Sequence, residues 1–129
     1  VYRYDANFPD NPANREFDEK YFALTGQHPT NWSWQNYTAM QFVFEALRRT
    51  NGDTDGKALA AEMKDLEIDS PFSATGKMTM RGEDHTIIDY PVAWGKSVSS
   101  PPSFADWVSS DWGEIQEHEK EWKQQKGYT

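Results

Sequence analysis

The chain has 129 residues, which suits one domain with a modest core, and 36% of its residues are hydrophobic. Its net charge of −8 argues against binding to a nucleic-acid backbone, which requires clustered Lys and Arg. The lack of Cys excludes disulfides, thiolate metal sites and a Cys nucleophile. No apolar run approaches the roughly 18 residues that a membrane-spanning helix needs.

Apolar periodicity, caps and breakers predict an α/β chain in which helices come first, a few strands follow and a helix ends the sequence. The helix starts are marked by capping residues, and Gly or Pro marks most of the ends. In chain order, the prediction is a strand over 1–4, helices over 12–26, 33–50 and 56–66, strands over 77–80 and 87–95, a linker over 97–103, and a helix over 111–126.

The second predicted helix carries a wide apolar face. Tyr37, Met40, Phe44 and Leu47 recur at spacings of three and four, and Val43 and Ala46 lie alongside. A face of this width predicts a helix that is well buried in the fold.

A possible calcium loop lies between the second and third helices. In the stretch Asn51 to Glu62, Asp53 and Asp55 fall at positions 3 and 5 of the calcium-loop pattern, and Glu62 falls at position 12. Position 1 is Asn, and the apolar residues from Leu59 onward require the helix to begin near Gly56, where a calcium loop is still irregular. The sequence therefore favours a helix cap at Asp55 over a metal site.

Catalytic patterns are not found in the sequence. His28, His85 and His118 are far apart, and no Ser occurs in the G-x-S-x-G pattern of hydrolases. The acidic and basic run from Arg81 to His85 is explained by a turn between two strands. We predict neither catalytic residues nor a metal or cofactor.

Aromatic and polar side chains alternate where the second helix begins, in the run Trp32-Ser33-Trp34-Gln35-Asn36-Tyr37. A helix start offers free N–H groups and a partial positive charge, which suit an anionic ligand group. Ring faces can cover an apolar ligand or a sugar. The competing interpretation is that Trp34 and Tyr37 are core residues of a buried helix. As a cluster, this run is the best small-molecule site in the chain.

The order of several short motifs resembles the carboxy-terminal third of the type I periplasmic solute-binding proteins of ABC importers, the group like the branched-chain amino-acid receptors. The resemblance extends over about residues 1–98 and rests on an ordered set of motifs. These motifs are Tyr37-Thr38-Ala39, Ala46-Leu47, Gly52-Asp53-Thr54-Asp55-Gly56, Ser70-Pro71-Phe72 and Gly76-Lys77-Met78-Thr79-Met80-Arg81.

This resemblance implies a receptor with two α/β lobes that close on a small solute, such as an amino acid or a related carboxylate. The family is not enzymatic, acts in the periplasm and delivers solute to a membrane permease. The chain would be a carboxy-terminal segment that packs against the remaining amino-terminal part of the receptor. Residues 1–82 would belong to the amino-terminal lobe and 83–129 to the second lobe. The ligand contacts implied by the family are Trp34, Asn36 and Tyr37.

Two other functions remain open on the residues alone. One is a stand-alone module that binds carbohydrate or protein through Trp32 and Trp34, whose rings could form a stacking platform. The other is a calcium-responsive protein that uses the loop described above.

Overall fold

The computed structural model describes residues 1–99 and 104–128, and in them helices precede strands and a helix comes last, so the predicted α/β class is confirmed. The helices are α1 (Pro12–Thr25), α2 (Asn31–Arg49), α3 (Gly56–Glu62) and α4 (Trp112–Lys126). The strands are β1 (Leu66–Asp69), β2 (Lys77–Met80), β3 (Ile87–Ile88), β4 (Ala93–Ser97) and β5 (Phe104–Ser109).

Local capping explains where α1 begins and ends. The Asn11 side chain accepts a hydrogen bond from the backbone N–H of Asn14, and Pro12 occupies the first turn. Gly26 ends the helix with a φ of +72°, a left-handed conformation that glycine adopts without strain. Both ends agree with the prediction.

One side of α2 is buried, and of the apolar face that the sequence predicted only Ala46 is fully buried there. The buried residues are Trp34, Thr38, Phe42 and Ala46, at a strict spacing of four. The predicted face is largely exposed, since Tyr37 and Met40 are each 44% exposed and Phe44 is 57% exposed. The reason is that β1 packs on the first row, and sequence periodicity does not show which of two apolar rows meets a sheet.

The third helix is capped by Asp55, whose carboxylate accepts hydrogen bonds from the backbone N–H groups of Lys57 and Ala58 at 3.1 and 3.0 Å. The helix ends at Glu62, so the predicted extension to Leu66 is wrong. Asp65 has a φ of +55°, and this left-handed residue redirects the chain into β1. Leu66 is then fully buried opposite Met80.

The strands form two separate antiparallel sheets, one with the order β1-β2-β3 and one with β4 and β5. The predicted single strand 87–95 is therefore wrong, since its two ends pair in different sheets. Asp89 lies between them with a φ of +66°, which breaks the extended backbone. The strand β5 was not predicted, and residues 100–103 of the predicted linker lie outside the described residues. Of the predicted strand 1–4, the structure keeps a single bridge from Tyr2 to Ala93.

Each sheet has its own hydrophobic cluster. The larger cluster lies between α2 and the three-stranded sheet and contains Tyr4, Trp34, Phe42, Leu66, Phe72, Met78 and Met80. The smaller one joins Phe8, Ala93 and Phe104, with Tyr2 and Trp107 packed at its edge. The first residues of the chain contribute to both clusters, so they tie the two sheets together.

The last helix is attached to the larger sheet by polar contacts. The Arg81 guanidinium pairs with Glu119 at 2.6 Å, and Lys123 pairs with Glu83 at 3.0 Å. At its start, the Trp112 indole N–H donates to the backbone carbonyl of Tyr90 at 2.6 Å. The predicted tail helix is thus confirmed. Among the described residues, none of the helices is both long enough and apolar enough to cross a bilayer.

We expect the two sides of α2 to respond differently to truncation. Phe42→Ala should lower the free energy of unfolding by about 3–5 kcal/mol, because it empties a fully buried position. Phe44→Ala, on the exposed side of the same helix, should change it by about 0.5 kcal/mol or less. Urea denaturation of both variants measures the difference, and equal losses would contradict the burial described here.

The ion pair of α4 should make its attachment sensitive to acid. The Arg81 guanidinium holds the pKa of Glu119 below its ordinary value of 4.5. A carboxyl group with a lowered pKa in the folded state stabilises the fold above its unfolded pKa, and this stabilisation is lost as the pH falls through the folded pKa.

We therefore expect Glu119→Gln to lower the free energy of unfolding by about 1 kcal/mol at pH 7. Its stability and that of the unmodified chain should converge as the pH falls through the lowered pKa of Glu119. Denaturation at several pH values measures this, with the exposed neighbour Glu121→Gln as the control. A constant difference between Glu119→Gln and the unmodified chain at all pH values would exclude the ion pair as the cause.

Candidate functional site

A pocket of about 410 Å³ lies beside the first turns of α2, and we call it the Trp32 pocket. The residues that shape it come from three parts of the chain: the segment before α1, the start of α2 and the region around β3. The larger side chains among them include Arg3, Trp32, Trp34, Asn36, His85 and Tyr90. Its volume falls in the range of small-molecule sites in proteins, roughly 300–1,000 Å³.

The start of α2 fixes where its aromatic residues point. The Thr30 side chain accepts a hydrogen bond from the backbone N–H of Ser33, and the Ser33 side chain accepts one from the backbone N–H of Thr30. This capping box sets the first turn. Trp32 and Asn36 are then one turn apart on one side, and the Asn36 amide donates to the Trp32 carbonyl at 2.9 Å.

The two tryptophans at this site differ in accessibility. The Trp32 ring is 72% exposed at the pocket, whereas Trp34 is 2% exposed. The Trp34 ring stacks on Tyr4 with centroids 5.7 Å apart, and Phe72 meets it edge-on at 5.8 Å. Trp34 is thus a core residue that also forms a wall of the pocket. Its indole N–H is buried and has no acceptor among the described residues.

Of the three predicted ligand-contact residues, the structure brings two together. Trp34 and Asn36 both line the Trp32 pocket. Tyr37 lies on another side of α2, where it packs against Phe17 at 4.9 Å and Phe72 at 6.3 Å between ring centroids. Trp34 borders both regions, since its ring lines the pocket and also meets Phe72. Tyr37 meets Phe72 as well but does not line the pocket.

Arg3, His85 and Tyr90 are among the pocket residues that the sequence did not single out as ligand contacts. The Arg3 guanidinium lies 5.3 Å from the centroid of the Tyr90 ring, a cation–π contact. His85 is part of the predicted turn, where its backbone N–H donates to the Arg81 carbonyl and its ring nitrogen Nε2 lies 3.1 Å from the Ala60 carbonyl. The signals in the sequence were weak, because Arg3 and Tyr90 are more than eighty residues apart in the chain.

A second pocket of about 540 Å³ adjoins Tyr4, and we call it the Tyr4 pocket. It contains the carboxylates Asp5 and Asp18, and Asp18 pairs with the ring of His28 at 2.8 Å. Burial raises the pKa of Asp5, and it also raises the pKa of the Tyr4 phenol. The electrostatic character of this pocket is therefore acidic, unlike that of the Trp32 pocket.

In the stretch that partly fits the calcium-loop pattern, the structure places the helix cap that the sequence favoured. An Asp53 carboxylate oxygen accepts from the Asp55 backbone N–H at 2.9 Å, and Asp55 itself caps α3. Within residues 1–99 and 104–128, no group of three or more His, Cys, Asp or Glu side chains is arranged to hold a metal ion.

A family model described as periplasmic binding protein matches residues 1–93. The chain belongs to this family. The match covers α1 to α3, β1 to β3 and all of the residues that line the Trp32 pocket, and it confirms the resemblance drawn from the motif order. None of the curated proteins matches the chain at a significant level.

Two solved structures of solute-binding proteins are similar to this chain. One is a solute-binding protein of an ABC transporter from Rhodopseudomonas palustris BisB5 in complex with 3,4-dihydroxy benzoic acid, with 27% identity and a TM-score of 0.61. The other is an amino acid ABC transporter substrate-binding protein from Pseudomonas fluorescens Pf-5, with 26% identity and a TM-score of 0.59. The similar regions cover 84% and 79% of this chain, but only 28% and 27% of those proteins.

Proposed function

We propose that this chain is the carboxy-terminal segment of an extracytoplasmic solute-binding component of an ABC transporter. The observation that carries the proposal is the family match over residues 1–93, together with two similar structures that are both solute-binding proteins of ABC transporters. Such a receptor works in the periplasm, binds a small solute and delivers it to the permease in the membrane.

We propose hinged closure of two lobes around the solute as the binding mechanism, with a shift of population toward the closed form. Residues 1–82 would belong mainly to the amino-terminal lobe and 83–129 to the second lobe. The two separate hydrophobic clusters support a division into two parts. In the structure β3 pairs with β2, and Ile87 and Tyr90 pack on the larger cluster, so the clusters change after Tyr90 and not at residue 82. The contact of Phe8 with Phe104 indicates that the first residues also pack on the second lobe.

We propose that the Trp32 pocket forms part of the solute site, with Trp34 and Asn36 as ligand contacts and Trp32 as a cover. Support comes from the exposed Trp32 ring and from the polar side chains gathered around a pocket of suitable size. The solute would be an amino acid or a related carboxylate, the classes that the two similar structures represent.

Tyr37 belongs to an apolar row on α2 that could contact another part of the receptor. Tyr37, Met40 and Phe44 form a partly exposed apolar row, in which Tyr37 and Met40 are each 44% exposed and Phe44 is 57% exposed. The chain spans little more than a quarter of the similar receptors, so most of such a receptor is available to cover this row. We propose that the remaining amino-terminal part of the receptor packs on it.

The alternative of a stand-alone carbohydrate- or protein-binding module has weaker support. It requires both Trp32 and Trp34 as a platform, and the Trp34 ring is 2% exposed and stacked on Tyr4. Trp32 alone offers a single ring, which is not specific for a sugar.

We predict that the receptor that contains this segment loses affinity for its solute when Trp32 or Asn36 is changed to Ala. Each substitution should weaken binding about tenfold or more, because it removes a ring face or a polar contact at the pocket. Thermal shift against a panel of amino acids and carboxylates would identify the solute, and calorimetry would give the dissociation constants.

The matched control is Trp122→Ala, which removes a half-exposed ring on α4, away from the pocket. It should leave solute affinity unchanged. A receptor that binds no member of the panel would exclude the proposed function, and unchanged affinity in Trp32→Ala and Asn36→Ala would exclude the proposed site.

We predict that residues 1–129 alone bind no amino acid tightly, because the other walls of the cleft are missing. Isothermal calorimetry at micromolar protein concentration should show no saturable heat. Micromolar binding by this chain alone would contradict the assignment to one part of a two-lobed site.

A further inference from the structure

We propose that the Trp32 pocket selects a flat apolar anion, an aromatic carboxylate without an ammonium group, over a zwitterionic amino acid. The inference rests on the proposed function and narrows the class of solute. It is drawn from the charges, the hydrogen-bonding groups and the rings that surround the pocket.

The charges around the pocket favour an anion. Arg3 contributes a guanidinium, and none of the described residues that line the pocket carries a carboxylate. The chain as a whole has 21 acidic and 13 basic residues, so a pocket with an arginine and without acidic side chains departs from the average surface. An ammonium group bound here would find no opposite charge among the described residues that line the pocket.

The hydrogen-bonding groups point in the same direction. The buried indole N–H of Trp34 has no acceptor among the described residues, and the guanidinium of Arg3 offers only donors. One of the two N–H groups of the Asn36 amide donates to the Trp32 carbonyl, and the second can donate to a ligand. The guanidinium and the buried indole N–H therefore favour an acceptor with a negative charge, which a carboxylate supplies. The amide oxygens of Gln35 and Asn36 also line the pocket, but they carry no charge that would hold an ammonium group.

The rings favour a flat ligand body. Trp32 is largely exposed at the pocket, and Tyr90 lines it with the Arg3 guanidinium over its ring. Offset or edge contacts with such rings stabilise a planar aromatic ligand beyond its buried area. A carboxylate attached to the ligand ring would lie in the plane of that ring, where the positive charge of Arg3 would attract it.

The Tyr4 pocket carries the opposite charge, since acidic side chains line it. Acidic and basic side chains are therefore separated between two adjacent pockets. The Tyr4 pocket is lined by Asp5 and Asp18, and the side-chain oxygens of Asn7 and Asn31 are buried there without donors among the described residues. Tyr4 and Trp34, which line one pocket each, stack at 5.7 Å. An amine should therefore avoid the Trp32 pocket and be attracted to the acidic side.

Protein-detected NMR of the 129-residue chain tests this preference, because it measures weak binding at an assigned side chain. The probes are benzoate, L-phenylalanine and phenethylamine, each titrated at neutral pH while the indole N–H signals of Trp32 and Trp34 are followed. We expect benzoate to shift both signals with a dissociation constant on the order of 1 mM. L-Phenylalanine should bind at least about tenfold more weakly, and phenethylamine should leave both signals unchanged.

Variants of Arg3 test the source of the preference. Arg3→Gln should weaken benzoate binding about tenfold, and Arg3→Lys, which keeps the charge, should recover part of the loss. The control is Arg15→Gln, an exposed arginine that pairs with Asp10 outside the pocket. Unchanged chemical shifts elsewhere would show that each variant keeps the fold.

Two results would overturn the inference. One is L-phenylalanine or phenethylamine binding at these signals as well as benzoate does, and the other is no response to any of the three probes. Neither result removes the proposed function, which depends on solute binding by the receptor that contains this segment. Conversely, if the receptor that contains this segment bound no solute of the panel, the proposed function would be contradicted even if benzoate bound this chain.

Discussion

The stacking of Tyr4 on Trp34 is the contact on which the arrangement of this chain depends. The two rings are nearly parallel, at 6°, and both residues are almost fully buried. Because Tyr4 precedes α1 and Trp34 lies in α2, the contact fixes the first residues of the chain against the helix. Each ring also forms a wall of one pocket, so the geometry of both candidate sites follows from this pair.

Polar contacts hold the same first segment from its other side. The Asn14 amide, in a residue that is 1% exposed, donates to the carbonyls of Asp5 and Ala6 at 3.2 Å each. The Asn7 amide reaches the Phe104 carbonyl at 2.8 Å. Buried amides that bind backbone carbonyls order a segment that has no regular secondary structure. Arg3 therefore extends from a fixed backbone, and its position at the Trp32 pocket is a consequence of the core.

The packing of the first segment places a basic side chain at one pocket and an acidic side chain at the other, which affects the solutes that each pocket can bind. Consecutive residues of the first segment face different pockets, with Arg3 at the Trp32 pocket and Tyr2, Tyr4 and Asp5 at the Tyr4 pocket. A solute-binding site discriminates between solutes by the charges that it leaves unpaired as well as by those that it pairs. The proposed preference for an anion therefore depends on the direction of a few side chains along one extended segment.

The sequence by itself determined the features that depend on neighbours along the chain. The caps at Asn11 and Asp55 and the stop at Gly26 follow from hydrogen bonds and backbone freedom within a few residues, and the motif order was sufficient to place the family. Only the tertiary structure decided which row of α2 is buried, that the predicted strand 87–95 divides between two sheets, and that Arg3 joins Tyr90 while Tyr37 stays outside the pocket. These features depend on contacts between distant residues, and apolar rows that look alike in the sequence differ only in what packs against them.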